Sequence, residues 1–145
     1  MSPKDIEKIV YAANAAEDQP WVADAAAQLA KETNAQVAVV SVDELETEML
    51  ASLPRSEFQR MAEDAADAAV ARLREDGVEA TKTVLAGPAL EQIMAFADQQ
   101  DADIIVVGSS TKGRLAARLL GSVPLSLVQR SRRPVLVVTE PGPPR

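Results

Sequence analysis

The sequence predicts an α/β fold built on a doubly wound five-stranded parallel sheet, and three observations support that prediction. Five short apolar runs alternate with longer stretches whose apolar residues recur at helical spacing. Residues 104–107 are wholly apolar and β-branched, which is typical of a parallel strand buried on both faces. The chain has 145 residues, of which 47% are hydrophobic, enough to form one core. We therefore expect a single domain over residues 1–145, with helices on both faces of one sheet.

The individual elements follow from the same periodicities. The strands are predicted over residues 9–13, 37–42, 78–86, 104–107 and 135–138. The helices are predicted over residues 20–34, 56–76, 88–97 and 123–130. Ser56 is expected to cap the second helix and Gly77 to end it. The polar residues 43–55 are predicted to form a loop, and the proline-rich residues 140–145 a flexible tail.

Missing residue types exclude several chemistries. The chain has no Cys and no His, which excludes disulfides, thiolate nucleophiles and Ser-His triads and removes nearly every zinc site. No metal ligands or catalytic residues are therefore predicted, and the protein is expected not to be an enzyme. No apolar run approaches the ~20 residues that span a bilayer, and no signal peptide opens the chain. We expect a cytoplasmic protein that does not insert into membranes.

Charge is distributed unevenly along the chain. The net charge is −7, but residues 1–107 carry 8 basic and 21 acidic side chains, whereas residues 108–145 carry 7 basic and 1 acidic. An acidic protein is a poor partner for nucleic acid. The basic segment suits a small anion, or it forms a solvated basic face.

Two glycines frame the segment that is most informative about chemistry. Gly108 follows the buried strand, and Gly121 precedes Ser122 at a helix start. Glycine lets backbone amides approach a phosphate, and a helix N-terminus favours an anion. The structural alternative carries equal weight, since Gly108 could be a strand exit and Gly121 a turn. The segment is not a Walker loop, because Gly113 is followed by Arg114 rather than by Lys and a hydroxyl residue.

Over residues 4–139 the chain resembles the universal stress protein family. The resemblance is most specific in Val-Val-Gly-Ser at 106–109, Arg-Leu-Leu-Gly-Ser-Val at 118–123 and Arg-Pro-Val-Leu-Val-Val at 133–138. It implies a flavodoxin-like sheet with strand order 3-2-1-4-5. The family's ATP-binding members carry G-x-x-G, nine residues, then G-[S/T]. This chain has Gly108, then Thr111 in place of the second glycine, then nine residues to Gly121-Ser122.

Two more positions depart from the ATP-binding pattern. Asn14 stands where those members have Asp, and Pro124 where they often carry Ser or Thr. The resemblance implies a weakened site for ATP or AMP with Mg, and the base near Val42. The implied nucleotide-binding residues are Ala12, Ala13, Asn14, Val42, Gly108, Thr111, Gly113, Gly121, Ser122, Val123 and Pro124.

Assembly is expected through the last strand. An apolar strand at a sheet edge pairs with another strand unless it is covered, and the resemblance implies a homodimer of the same kind. The predicted interface residues are Val135, Leu136, Val137 and Val138. Three functions stay open: a nucleotide-binding stress-response or regulatory protein, a family member that has lost ATP and binds a protein partner, and, less favoured, a weak ATP hydrolase.

Overall fold

The computed structural model describes residues 5–43, 54–109 and 122–141. Five strands and four helices alternate along these residues. The strands are β1 (Lys8–Ala13), β2 (Gln36–Asp43), β3 (Ala80–Ala86), β4 (Ile104–Ser109) and β5 (Val135–Thr139). The helices are α1 (Pro20–Thr33), α2 (Arg55–Glu75), α3 (Ala89–Gln99) and α4 (Ser122–Arg130). Among the described residues, no helix is long and apolar enough to cross a bilayer.

All four strand pairings are parallel, and the order across the sheet is β3-β2-β1-β4-β5. The predicted fold and the strand order implied by the family resemblance are therefore confirmed. The chain moves from β1 outward to β2 and β3, then returns to the other side of β1 for β4 and β5. Because parallel crossovers are right-handed, this reversal places α1 and α2 on one face and α3 and α4 on the other.

Alternation along the strands divides the core into two clusters. Ile9 and Tyr11 of β1 face the cluster that contains buried residues of α1 and α2. Val10 and Ala12 face the second cluster, which is covered by α3 and by Leu127 of α4. Successive side chains of a strand point to opposite faces, so this assignment also fixes which face each residue at the strand ends occupies.

The start of α2 differs from the prediction. The helix begins at Arg55, and Pro54 occupies the N-cap with φ −61° and ψ 151°. The Pro54 carbonyl accepts the amide of Glu57 at 2.9 Å, so the prediction of Ser56 as the cap was wrong. The predicted loop over residues 43–55 is also shorter at its N-terminal end, because Asp43 is the last residue of β2. Residues 44–53 lie outside the described part of the chain.

Two strand boundaries also differ from the prediction. β3 begins at Ala80 rather than at residue 78, after Gly77 leaves α2 with φ +78°. β4 does not end at residue 107 but continues through Gly108 and Ser109, which pair with Val138 and Thr139 of β5. Gly108 is consequently a strand residue, not a strand exit. Of the predicted tail, residues 142–145 lie outside the described part of the chain.

Candidate functional site

The sheet reverses its winding direction between β1 and β4, which are adjacent strands. In doubly wound sheets, ligands bind outside the carboxyl ends of the strands at such a switch point. The carboxyl ends here are Ala13 of β1 and Ser109 of β4. The sequence-based prediction of a crevice beside Ala13 and Gly108 thus refers to the place where the topology favours a ligand.

Three of the predicted residues face the α3/α4 side of the sheet. Ala12 and Val42 belong to that buried cluster, and Val123 of α4 packs against it. Ala13 instead packs against the cluster under α1 and α2. A ligand on the α3/α4 side could therefore reach Ala13 only through its backbone.

Asn14 is exposed at the end of β1 and forms a local turn. Its Oδ1 accepts the backbone amide of Ala16 at 2.8 Å, the geometry of an Asx turn. The side-chain carbonyl is thus used within the chain, and the Nδ2 amide is the group that could donate to a ligand. An aspartate at this position could accept hydrogen bonds with a second oxygen, which Asn14 lacks.

Gly108 is required by the packing of α1. A Cβ at this position would lie 2.4 Å from Cγ2 of Val22 and 2.5 Å from Oε1 of Gln19. Real Cβ atoms do not approach so closely, and Val22 is fully buried. Glycine here permits close packing between the helix and the strand, the same role that a glycine has in dinucleotide-binding folds.

Gln19 was missed by the sequence analysis. It occupies the N-cap of α1, only 5% exposed, and its Nε2 donates to Oε1 of Glu17 at 3.2 Å. Its backbone carbonyl accepts the amide of Val22 at 3.0 Å. A glutamine between two acidic residues and a proline is typical of an exposed loop. No local sequence signal indicates that it is buried against Gly108.

Three further polar residues are buried at the strand ends. Ser41 and Asp43 of β2 and Ser109 of β4 are at most 4% exposed. Within the described part of the chain, the hydroxyls of Ser41 and Ser109 have no hydrogen-bond partner. By alternation with its strand neighbours, Ser109 faces the same side as Ala12, whereas Ser41 faces the opposite side. Ser109 directly follows Gly108, which is the signal that could have identified it.

The glycine segment itself is only partly described. Thr111, Gly113 and Gly121 lie outside the described residues, so their predicted contacts stay predictions. Ser122 is the first residue of α4 rather than the residue before it. Pro124 is buried two positions later. The first four amides of a helix have no partner within the helix, so this proline costs α4 no hydrogen bond, but it removes one donor from an anion.

Charged groups near the end of β1 lie on the opposite side, between α1 and α2. The guanidinium of Arg72 donates to Asp24 from Nε at 2.7 Å and from Nη2 at 3.1 Å. This hydrogen bond lowers the pKa of Asp24. Burial, with the carboxylates of Asp18 and Asp24, raises the pKa of Tyr11. Within residues 5–43, 54–109 and 122–141, no group of three or more acidic side chains is arranged to hold a metal ion.

The fold defines a doubly wound α/β protein with a polar switch point. Its family can be stated more narrowly: the chain belongs to the universal stress protein family, whose sequence profile matches residues 5–139. The resemblance identified in the sequence is confirmed.

Relatives with curated descriptions have the same family name. Universal stress protein MJ0577 of Methanocaldococcus jannaschii is 32% identical over 98 residues, which cover 68% of this chain and 57% of that protein. The alignment therefore spans little more than half of that relative. Universal stress protein MJ0531 of the same organism is 29% identical over 146 aligned positions, covering 93% of this chain and 83% of the relative.

Solved structures match over nearly the whole fold. A universal stress protein in complex with cAMP is 26% identical, with a TM-score of 0.71 over 93% of this chain and 98% of that chain. A universal stress protein from Archaeoglobus fulgidus is 24% identical, with a TM-score of 0.72 over 91% of this chain and 98% of that chain. The second likeness concerns the fold alone.

Proposed function

We propose that this protein is a non-enzymatic regulatory protein of the stress response that binds an adenine nucleotide at the β1–β4 switch point. The observation that carries the proposal is the side chain of Ser109. Its hydroxyl is buried, has no hydrogen-bond partner among the residues that the structure describes, and faces the same side of the sheet as Ala12 and Val42. A relative of 26% identity binds cAMP, an adenine nucleotide.

The chemistry of the crevice suits such a ligand in two parts. Ala12 and Val42 are small, apolar side chains at the strand ends, and the 5% and 7% of their surface that stays exposed could contact a base. The N-terminus of α4 supplies partial positive charge for phosphate. Mg would neutralise phosphate charge when ATP is bound. Among the described residues there is no three-carboxylate metal group, so the metal would be held chiefly by the nucleotide.

The affinity is expected to be reduced. Pro124 offers no N–H, and Thr111 is a larger, β-branched residue at the position where the ATP-binding pattern has glycine. Losing one hydrogen bond to a charged group costs about 1.5–3 kcal/mol, or about one to two powers of ten in affinity. A site that would otherwise be micromolar would then have a dissociation constant of about 10–100 μM.

Isothermal titration calorimetry with ATP and AMP, in the presence of Mg, tests the proposal. Ser109→Ala should weaken binding about tenfold without lowering stability, because its hydroxyl has no partner to lose in residues 5–43, 54–109 and 122–141. Ser41→Ala is the matched control, since it removes an equally buried, unpartnered hydroxyl on the other face. Thr111→Gly should tighten binding and Thr111→Ser should do so less. If neither the wild type nor Thr111→Gly binds a nucleotide, the proposal fails.

A second candidate function is a protein-interaction module that binds no nucleotide. Its support is a pair of exposed apolar side chains on α4. Leu125 and Val128 are 44% and 52% exposed and lie three residues apart, on one side of the helix. Exposed apolar clusters mark interaction sites. The calorimetric result above separates this candidate from the first.

We also propose that the protein is a homodimer paired through β5. This strand pairs with β4 on one side only and is an edge of the sheet. Its exposed Leu136 gives the edge an apolar surface. An apolar edge strand is a template for pairing with a second copy.

A further inference from the structure

Glu140, which directly follows β5, carries a carboxylate that the described chain leaves unsatisfied. Its Oε1 is shielded from solvent and has no hydrogen-bond partner within the described residues. The indole Nε1 of Trp21, at the start of α1, is a buried donor that also lacks a partner there, so the two groups do not bond to each other. Burying a carboxylate oxygen without a partner is costly. Glu140 is therefore available to a cation supplied from elsewhere.

The opposite end of β5 carries a positive charge that the described chain does not use. Arg132 is exposed and forms no hydrogen bond or ion pair within the described residues. Its neighbour Arg133 is engaged, since it donates to Asp98 from Nε at 3.3 Å and from Nη2 at 3.2 Å, and to the carbonyl of Ala102 from Nη1. The edge strand thus has an available cation before it and an unsatisfied carboxylate after it.

The backbone of β5 determines which residues can pair with a further strand. The Pro134 carbonyl accepts the amide of Ile105 at 3.0 Å, so Pro134 faces β4. By alternation, Val135, Val137 and Thr139 turn their amides and carbonyls outward. A two-fold antiparallel pair that uses all three outward residues is centred on Val137, which then lies opposite its own copy.

Shifted registers lose hydrogen bonds at either end of β5. A pair centred on Leu136 would need the backbone of Arg133 as its next outward group. The amide of Arg133 already donates to Oγ of Ser131 at 3.0 Å, and its carbonyl accepts the Ser131 hydroxyl at 2.9 Å. A pair centred on Val138 would need Pro141, which has no N–H. The central register is therefore favoured.

In the central register, opposite charges meet at both ends of the paired strands. Glu140 of one copy lies opposite Pro134 of the other and two residues from its Arg132, a separation that a long side chain spans. Leu136, 38% exposed, lies opposite Val138 of the second copy and is covered by it. A parallel pair would instead place each charge beside its own copy, which is repulsive.

We propose that Glu140 of each subunit pairs with Arg132 of a second copy, and that these two ion pairs fix the register of the β5 dimer. The inference rests on the dimer proposed above and adds what makes its edge selective for a second copy. Charge pairs across an interface mainly supply register and partner choice. A strand with a different order of charges would leave Glu140 unpaired or facing a like charge.

A charge exchange tests the ion pair. Glu140→Arg and Arg132→Glu should each raise the dimer dissociation constant about 10- to 100-fold, because each places like charges together twice in the dimer. The double variant, which restores opposite charges, should return to within about threefold of the wild type. Glu32→Arg, an exposed residue of α1 with the same change of charge, should leave the dimer unaffected. Sedimentation velocity at constant ionic strength measures all four variants.

Cysteine cross-linking tests the register independently. The chain has no Cys, so each variant carries a single thiol. Val137→Cys should form a disulfide between subunits, because the Cα atoms of directly opposite, hydrogen-bonded residues lie about 5.5 Å apart. Leu136→Cys and Val138→Cys should not, since each lies diagonal to its own copy, at about 7–8 Å.

The outcomes separate this inference from the dimer on which it rests. A dimer that cross-links through Leu136→Cys or Val138→Cys rather than through Val137→Cys overturns the register and leaves the proposed dimer intact. A dimer in which the double charge variant recovers no affinity overturns the ion pair. A monomeric wild type, with no cross-link at any of the three positions, overturns both proposals.

Discussion

The two edges of the sheet differ in chemistry. On β3, Lys82 donates to Glu63 at 3.1 Å and to Asp67 at 2.9 Å, both on α2. On β5 the run is Val-Leu-Val-Val-Thr, and Leu136 is exposed. Charged side chains, lysine above all, protect an edge from pairing with another strand. The comparison indicates that β3 is the protected edge and β5 the edge available for assembly.

The exposed apolar side chains follow the same division. In the described residues, the large hydrophobic side chains with at least 38% exposure are Leu125, Val128 and Leu136, all on α4 or β5. The α2 side instead carries the ion pairs of Arg72 with Asp24 and of Lys82 with Glu63 and Asp67. Exposed ion pairs contribute little stability, so their effect at β3 is chiefly to keep that edge solvated.

The largest effect is expected from placing a lysine on β5, as β3 has in Lys82. Leu136→Lys should raise the dissociation constant of the proposed dimer by a factor on the order of a hundred, because pairing would bury an ammonium group on each protomer. Thr81→Lys adds the same charge to the β3 edge and should leave the dimer intact. Sedimentation velocity measures both. Equal weakening by the two variants would contradict the distinction between the edges.

The next effect concerns the centre of the sheet, which both edges share. Gly108→Ala should destabilise the fold by about 1–3 kcal/mol, because its Cβ overlaps Val22 of α1. Urea denaturation measures the loss. Val22→Ala should remove the clash and recover part of it in the double variant, giving a favourable coupling energy. Additive effects in that cycle would mean that the overlap at Val22 is not the cause.

A smaller effect is expected from removing the protection of β3. Lys82→Val should change the free energy of unfolding by less than about 1 kcal/mol, since its ion pairs are exposed. It should nevertheless produce species larger than a dimer, because the chain then has two apolar edges. Lys31→Val, on α1, is the control away from either edge. Light scattering that detects no species larger than a dimer would show that Lys82 is not what protects this edge.

The smallest effect is a pH dependence limited to the α2 side. Arg72 lowers the pKa of Asp24, so this pair stabilises the fold above the unfolded-state pKa of aspartate. That contribution is lost as the pH falls through the lowered folded-state value. Asp24→Asn should therefore lower stability slightly at neutral pH and match the wild type in strong acid. Urea midpoints from pH 7 to pH 2 measure the difference in stability between Asp24→Asn and the wild type. A difference that widens as the pH falls would contradict the prediction.

Much of the architecture was predictable because apolar periodicity directly reflects burial. The strand run at 104–107 and the helical spacing before Asn34 predicted β4 and α1 to within about two residues. The errors in element boundaries occurred where a single residue determines whether a strand or helix continues. Gly108 continues β4 because of its packing against α1, a contact between residues about 86–89 apart in sequence. A local sequence pattern cannot indicate contacts between residues so far apart.

The candidate site was predictable only in part. Topology and the family pattern placed Ala12 and Val42 correctly at the carboxyl ends of their strands. Gln19 and Ser109 were missed, because burial of a polar residue depends on what packs over it. The opposite orientations of Ala12 and Ala13 follow from strand alternation, but only after the face covered by each helix is known.

The most direct test of the distinction between the edges is amide hydrogen exchange in the unmodified protein. The carbonyls of Pro134 and Glu79 accept amides of the inner neighbouring strands, so alternation directs the amides of Val135 and Val137 outward from β5, and those of Lys82 and Val84 outward from β3. We expect the outward amides of β5 to exchange slowly, as in a paired strand, and those of β3 to exchange rapidly. Rapid exchange at both edges would contradict assembly through β5.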